Sequence, residues 1–151
     1  MPITLFKKKA FFAKEEAKEI VAAIQAAEKQ TSCEIRVYVE TKCAYINAQD
    51  RAIEIFTKLN MHKTLLKNGV LLYVATHDKQ VSLYGDTGIF TKIESEVWQQ
   101  AIHLLLQHFK ANNYVQGFVA CIQSITMHLT KHYPYTDGNN NELPDEIVFG
   151  K

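Results

Sequence analysis

The chain has 151 residues, of which 47% are hydrophobic, and its Lys and Arg residues outnumber Asp and Glu by one, for a net charge of +1. A single domain of this size can bury roughly 70% of its unfolded surface. The balanced charge excludes an overall electrostatic bias toward nucleic acid or an anionic membrane. The first residues lack the apolar stretch of a secretion signal, and no segment approaches a membrane span. We therefore expect a soluble, cytoplasmic protein.

The first third of the chain predicts a helix, a strand and a second helix. Residues 13–29 place apolar side chains at three- and four-residue spacings along one helical face. Residues 31–40 alternate apolar and polar side chains, which predicts a strand half exposed to solvent, near the side of a sheet. Asn47, with Asp50 three residues on, then resembles a helix start.

The middle of the chain predicts a hairpin. Residues 69–75, GVLLYVA, are apolar on both faces, as in a central strand covered by helices on both sides. Only four residues separate this strand from QVSLYG, so the third strand runs antiparallel to the second. The helix between the first two strands makes that pair parallel. The sequence thus predicts an α/β fold around a small mixed sheet of three to four strands.

Two further helices complete the predicted domain, residues 1–134. Thr91 and Glu94 form a capping-box pattern at the start of one helix. The last helix is expected to stop before Pro134. Residues 135–151 form a polar tail in which EIVF is a short strand or a docking segment. The three cysteines, Cys33, Cys43 and Cys121, lack metal-binding spacing and are expected to be structural thiols.

The predicted topology gathers oxygen-bearing side chains at one end of the sheet. Because the third strand runs backwards, Asp86 at its end lies beside Glu34 and Asn68 at the starts of the other two. Carboxylate and neutral oxygens are the ligands that Ca²⁺ and Mg²⁺ select. The glycines that flank Asp86 let backbone approach a ligand. We therefore expect Asp86, Glu34 and Asn68 to form a metal site.

Two alternatives remain open for this site. An Asp between glycines is also typical of an ordinary turn, and Glu34 can simply pair with Arg36 across solvent. The opposite end of the sheet, where ligands of α/β sheets usually bind, offers Glu40, Thr41, Thr76, His77 and Asp78. The chain contains no HExxH, GxSxG, Walker or GxGxxG motif, so no catalytic residue is assigned.

Three segments of the sequence together resemble the TPM domain, a family first described as a domain of unknown function. They are AIQAAEKQTSCEIRVYVE, AIEIFTKLNMHKTLLKNGVLLYVATHDKQVSLYGDTGI, and VWQQAI with NYVQGF downstream. The resemblance covers about residues 12–134 and is most specific at residues 31–37, 68–74 and 85–88. Two departures are visible: Cys33 stands where the motif usually has Gly, and an acidic residue common before the first helix is absent near KKKAFF.

The resemblance implies a three-layer α/β/α sandwich. Members of the family include thylakoid proteins tied to photosystem repair, an animal receptor-associated protein and many bacterial proteins, and divalent-cation binding or phosphatase activity has been ascribed to some. It implies a stand-alone TPM domain that binds Ca²⁺ or Mg²⁺, with a metal-dependent phosphohydrolase acting on a phosphate-containing small molecule as the extension. The alternative is a non-catalytic interaction module that uses the tail or a sheet edge, with neither nucleic acid nor membrane as partner.

Overall fold

A computed structural model describes residues 12–136 and 142–150 of the chain. The helices are α1 (Lys14–Glu28), α2 (Ala48–Lys58), α3 (Thr87–Phe90), α4 (Ser95–Lys110) and α5 (Tyr114–His132), with a 3₁₀ turn at Met61–Lys63. The strands are β1 (Glu34–Glu40), β2 (Gly69–Ala75), β3 (Gln80–Gly85) and β4 (Val148–Phe149). This element order confirms the α/β fold that the sequence predicts.

The four strands form one mixed sheet in the order β3-β2-β1-β4. β1 and β2 are parallel, as their helical crossover requires. β2 and β3 are antiparallel, with Ala75 opposite Gln80 and Val70 opposite Gly85. The hairpin therefore returns the end of β3 to the start of β2, which confirms the geometry expected from the short turn.

Two hydrophobic layers cover the sheet on opposite faces. On one face, Val70, Leu72 and Val74 of β2 pack in a cluster that includes residues of α1, α4 and α5. On the other face, Leu71 and Tyr73 join a smaller cluster with residues of α2. This alternation explains why β2 is apolar at nearly every position. The three-layer α/β/α arrangement is confirmed.

The prediction that β1 is half exposed is wrong. All seven of its residues are buried, including Glu34 at 2%, Arg36 at 7% and Glu40 at 6% relative exposure. β1 lies inside the sheet, because β4 pairs in parallel on its outer side and places Val148 opposite Tyr38. The polar face of β1 is thus covered by protein, and the Glu34 and Glu40 carboxylates accept hydrogen bonds from protein groups. Alternation alone cannot distinguish a wet face from a buried polar one.

The predicted helix start at Thr91 is also wrong. A separate short helix, α3, begins at Asp86 and has Thr91 as its C-cap residue, and α4 starts only after Glu94. The physical reason is local, since the Asp86 carboxylate accepts a hydrogen bond from Thr87 N and starts a helix of its own. Ile93, in the link between the two helices, is buried.

The described part of the tail docks on the body of the protein. Glu142 N and Leu143 N donate to the Glu34 carboxylate, and Gly150 N donates to Val39 O at 2.7 Å. The expectation of a short strand in EIVF is met by β4. Among the helices within residues 12–136 and 142–150, none is long and apolar enough to cross a membrane.

Candidate metal site

The candidate site lies at the amino end of the sheet, where β1 and β2 begin and β3 ends. Asp86 N donates to Gly69 O at 3.0 Å, which fixes Asp86 beside the first residue of β2. Its side chain is 6% exposed. One carboxylate oxygen, Oδ1, accepts from Thr87 N at 2.7 Å, while the other, Oδ2, is buried without a hydrogen-bond partner. One oxygen of Asp86 therefore caps α3, and the other makes no hydrogen bond.

Asn68, immediately before β2, carries a second unused oxygen. Its side chain is 1% exposed, and its Nδ2 donates to Ser32 O at 3.0 Å. This bond orients the amide group, whose Oδ1 is buried and has no partner. The Asn68 backbone is held as well, because its N–H donates to Thr64 Oγ1 and its carbonyl accepts from Glu34 N. The unpartnered Oδ1 thus belongs to a residue whose side chain and backbone are both held in place by hydrogen bonds.

Gly88 holds the loop before β2 against α3. Its N–H donates to Lys67 O at 3.0 Å, and its carbonyl accepts from the Tyr133 hydroxyl at 2.5 Å. A Cβ at this position would lie 2.5 Å from Lys67 O and 2.6 Å from Leu66 O, closer than any side chain tolerates. A glycine is therefore needed for the backbone next to Asp86 to pack on the loop that carries Asn68.

Glu34, the third predicted ligand, is engaged elsewhere. Its two carboxylate oxygens accept from Glu142 N and Leu143 N of the tail, each at 3.2 Å. Burial raises the pKa of Glu34, although these two hydrogen bonds lower it. The pairing with Arg36 considered from the sequence is replaced by these tail contacts. The structure thus leaves free oxygens on Asp86 and Asn68, and gives the Glu34 carboxylate to the tail.

The unpartnered side-chain atoms that Asp86 and Asn68 offer to a cation are both oxygens. In the part of the chain that the structure describes, no three His, Cys, Asp or Glu side chains lie together as a group that could hold a metal ion. A cation here would rely on one carboxylate oxygen and one amide oxygen, supplemented by backbone oxygens or solvent. Such a set fits a hard cation and does not fit zinc, which takes nitrogen and sulfur ligands in structural sites.

A comparison with protein families decides the family. The model of the TPM domain matches residues 5–128. The chain belongs to the TPM domain family. The match includes all three predicted ligands and stops before the tail. No curated protein matches the sequence.

Solved structures of similar shape support the TPM fold of this chain. The NMR structure of BA42 from the psychrophilic bacterium Bizionia argentinensis is 41% identical, with 94% of this chain and 97% of that chain covered and a TM-score of 0.87. An N-terminal domain from P. gingivalis is 15% identical over 84% of this chain and 83% of its own, with a TM-score of 0.67. The N-terminal domain of cg2496 from Corynebacterium glutamicum is 11% identical over 91% and 80%, with a TM-score of 0.62. The last two show the fold alone.

The structure also places near the candidate site a residue that sequence reasoning missed, just beyond the range that the family model matches. Tyr133 donates through its hydroxyl to Gly88 O, and its carbonyl accepts from Ser32 N at 2.9 Å. Burial, followed by the nearby charges of Cys33 and Asp86, raises the pKa of the Tyr133 hydroxyl. Tyr133 thus forms hydrogen bonds both with Ser32, just before β1, and with Gly88 in α3. It lies 47 residues beyond Asp86 in the chain, and no local pattern signals the contact.

The carboxyl end of the sheet, the competing location, is fully bonded. Glu40 accepts from Arg51 Nε at 2.9 Å and Arg51 Nη2 at 2.8 Å, and it also accepts from the Tyr73 hydroxyl. Asp78 in the hairpin turn accepts from Cys43 N at 2.7 Å. These contacts leave the Glu40 and Asp78 carboxylates bound within the protein. Within residues 12–136 and 142–150, the buried side-chain oxygens without hydrogen-bond partners lie at the amino end, on Asp86 and Asn68.

Proposed function

We propose that this TPM domain binds a divalent cation, Ca²⁺ or Mg²⁺, through Asp86 and Asn68. The proposal depends on one observation: Asp86, which hydrogen-bonds to Gly69, and Asn68, the residue before Gly69, each bury a side-chain oxygen that has no hydrogen-bond partner. A buried polar atom without a partner costs about 1 to 3 kcal/mol, so native proteins usually satisfy it. A cation would satisfy both oxygens at once.

The donor set predicts a weak site. Affinity for Ca²⁺ rises with the number of charged ligands, and here a single carboxylate is free. We therefore expect a dissociation constant on the order of 10⁻⁴ to 10⁻³ M. Glu34 would become a third ligand only if the tail released its carboxylate. Shortening the chain after Pro134 would remove those two tail N–H groups, and would then strengthen cation binding if Glu34 is a ligand.

Thermal unfolding with and without cation tests the site. Asp86→Asn is the informative variant, because the amide oxygen can still accept from Thr87 N while the negative charge is lost. At about ten times the dissociation constant, the wild type should gain about 1.4 kcal/mol and roughly 4 °C in Tm. Asp50→Asn, an exposed acid in the first turn of α2, is the matched control. Equal shifts in the wild type and Asp86→Asn would remove Asp86 from the site.

We further propose that the site supports slow hydrolysis of a phosphate-containing small molecule. The cation would supply Lewis-acid polarisation of a phosphoryl oxygen. The protein contributes the fixed positions of Asp86 and Asn68. Water is taken as the attacking group, because burial raises the pKa of the Cys33 thiol to about 12 and so disfavours its thiolate. Release of p-nitrophenol from p-nitrophenyl phosphate should require Mg²⁺, disappear in Asp86→Asn and persist in Asp50→Asn.

A second candidate function is a protein-interaction module. Its support is that the tail contributes a strand of only two residues, in which the Phe149 side chain is 54% exposed. A partner would then contact the tail or the open edge of β3. Phe149→Ser keeps the backbone of β4 and should weaken a partner complex without changing the cation-induced Tm shift. If the complex survives this change while Asp86→Asn abolishes it, the cation site is the functional one.

A further inference from the structure

A cavity of about 460 Å³ opens at the other end of the sheet from the candidate metal site. It lies between the carboxyl end of β2, the last turns of α4 and the start of α5. Ala75, which lines the cavity, is the last of the seven residues of β2 and therefore lies about 20 Å from the start of that strand beside Asp86. The cavity is therefore separate from the proposed cation site, and its volume is in the range of small-molecule sites.

The walls of the cavity combine apolar groups with positive charge. Leu106, Phe109 and Tyr114 supply an aliphatic and two aromatic surfaces. Lys79 and Lys110 stand at the rim, both exposed, and neither forms an ion pair with any residue that the structure describes. None of the described residues that line the cavity is acidic. A ligand that enters it would meet an apolar body of protein and two ammonium groups without a competing carboxylate.

The rim of the cavity is held in a defined shape. Lys79 and Asn112 have φ angles of 56° and 62°, the left-handed region that residues with side chains seldom adopt. Asn112 Oδ1 accepts from the Tyr114 hydroxyl at 3.0 Å, and the Tyr114 ring meets Phe109 edge-on at 5.3 Å between centroids. These contacts fix the two aromatic walls relative to each other, so a ligand does not have to order them.

We propose that this cavity binds a small organic anion with a flat aromatic body. The ring would lie between Leu106 and the Phe109 and Tyr114 rings, and the anionic group would face Lys79 and Lys110. The positive end of α5 adds to this potential, because the side chain of Asn113 makes no capping hydrogen bond at the start of that helix. A neutral aromatic molecule of the same size would keep the apolar contacts and lose the charged ones.

A pair of probes tests the charge requirement. The ¹⁵N-labelled protein is titrated with 2-naphthoate and, separately, with 2-naphthalenemethanol, at low salt and without divalent cation. The expected result is saturable amide shifts confined to residues 75–79 and 105–115, with naphthoate binding about tenfold tighter than the alcohol. Raising the salt concentration should narrow this difference, since both lysines are exposed. Shifts scattered over the surface, equal affinities or no saturation would overturn the proposal.

Three variants locate the site. Lys79→Gln with Lys110→Gln should weaken naphthoate binding about tenfold and leave the alcohol unaffected, whereas the control pair Lys58→Gln with Lys131→Gln should change neither. Leu106→Trp should fill the cavity and abolish binding of both probes. Leu106 is 37% exposed, so the larger ring can be accommodated at the surface.

Two controls keep the test decisive. Thermal melts monitor folding of each variant, and Leu106→Gln replaces Leu106→Trp if the latter unfolds. Asp86→Asn should leave naphthoate affinity unchanged, so loss of the cation site and loss of the anion site are distinguishable. Naphthoate affinity that is the same in the wild type and in the Lys79→Gln, Lys110→Gln double variant would overturn the proposal.

Discussion

The two ends of the same sheet treat buried carboxylates in opposite ways. At the carboxyl end, Glu40 is surrounded by donors, and Arg51 grips both of its oxygens. At the amino end, Asp86 and Asn68 each keep a buried oxygen without a hydrogen-bond partner, and the Glu34 carboxylate accepts from two backbone N–H groups of the tail. The carboxylate oxygens at the carboxyl end are thus occupied by hydrogen bonds within the protein, whereas Asp86 and Asn68 at the amino end each have an oxygen that could still bind a ligand.

The pKa shifts follow the same division. Burial raises the pKa of Glu40, but hydrogen bonds from Arg51 and Tyr73 outweigh it and leave the pKa below its ordinary value. Burial raises the pKa of both Glu34 and Glu28 near the amino end, and neither carboxyl forms an ion pair with a residue that the structure describes. At the carboxyl end, the Arg51 guanidinium is the cation that stabilises the buried carboxylate. At the amino end, a bound cation would favour the charged form of the buried carboxyl groups.

The largest expected effect comes from removing the internal cation. Arg51→Met leaves Glu40, which is 6% exposed, with Tyr73 as its remaining side-chain donor. Losing one partner of a buried ion pair typically costs 3 to 5 kcal/mol, and partial exposure of Arg51 places this case near the lower figure, about 3 kcal/mol. Urea unfolding at pH 7 measures it.

The pH dependence of that loss has a definite sign. Because the folded pKa of Glu40 is below its ordinary value, the contribution of the pair is present above the unfolded pKa, 4.5, and is lost as pH falls through the folded pKa. The wild type and Arg51→Met should therefore converge in stability at acidic pH. Glu54→Gln, which removes the exposed partner of Arg51, is the control and should change stability little. A small loss in Arg51→Met at pH 7 would show that the carboxyl end is not closed by this pair.

A change at Gly88 should disturb the amino end through its backbone. In Gly88→Ala the new methyl group meets two backbone oxygens, of Lys67 and Leu66, which cannot rotate away. Overpacking of this kind costs about 1 to 3 kcal/mol, and we expect about 2 kcal/mol together with loss of the cation-induced Tm shift. Gly117→Ala is the comparison, since its methyl group would meet two atoms of the Phe109 ring at 3.0 Å and Leu105 O at 3.1 Å, all longer contacts than the two backbone ones at Gly88. Chemical denaturation of both variants ranks the two sites, and equal costs would contradict a special role for Gly88.

The carboxyl groups beside the tail should make stability depend on pH in the neutral range. Burial and then a hydrogen bond with Asp145 raise the pKa of Glu28 to about 9, while its carboxylate accepts from Ile35 N. Because the folded pKa of Glu28 is raised, its protonated carboxyl contributes to the stability of the fold below the unfolded pKa, 4.5. This contribution is lost as the pH rises toward 9. Glu28→Gln cannot ionise and should be more stable than wild type by about 1 kcal/mol at pH 8, after allowance for solvent screening.

Urea unfolding at two pH values checks the Glu28 prediction. The advantage of Glu28→Gln should disappear near pH 5, where the wild-type carboxyl is protonated in the folded state and partly so in the unfolded state. Lys29→Gln, at the exposed position next to it, serves as a control for a change of charge alone. An advantage of the same size at both pH values would show that ionisation of Glu28 is not its origin.

The sequence predicts the pairing of β1, β2 and β3 better than it predicts the contacts of the tail. The apolar run of β2 and the four-residue turn after it determine the parallel and antiparallel pairings, and with them the position of Asp86. A short strand in EIVF is predicted, but its pairing with β1 is not, because two residues carry no periodic signal and the pairing spans more than a hundred positions. Without β4 on its outer side, β1 is easily mistaken for a half-exposed strand near the side of the sheet.

The candidate site divides in the same way. Asp86 and Asn68 follow from strand order, since both lie at strand ends that the topology brings together. Tyr133 and the engagement of Glu34 by the tail depend on long-range packing that no local motif encodes. The turn interpretation of Asp86 and the ligand interpretation also prove compatible, because one carboxylate oxygen caps α3 while the other is unused.

The smallest effect concerns Asp86 in the absence of any cation, and it sharpens the contrast most directly. Asp86→Asn retains an oxygen for Thr87 N and removes a negative charge from a position where Oδ2 has no partner. Because a buried unpaired charge is unfavourable, we expect this variant to be more stable than wild type by up to about 1 kcal/mol in buffer containing a chelator. Added Ca²⁺ should reverse the order, since only the wild type gains from binding. A metal-free Asp86→Asn protein clearly less stable than wild type would mean that the protein itself already satisfies the Asp86 charge, and the amino end of the sheet would then be as closed as the carboxyl end.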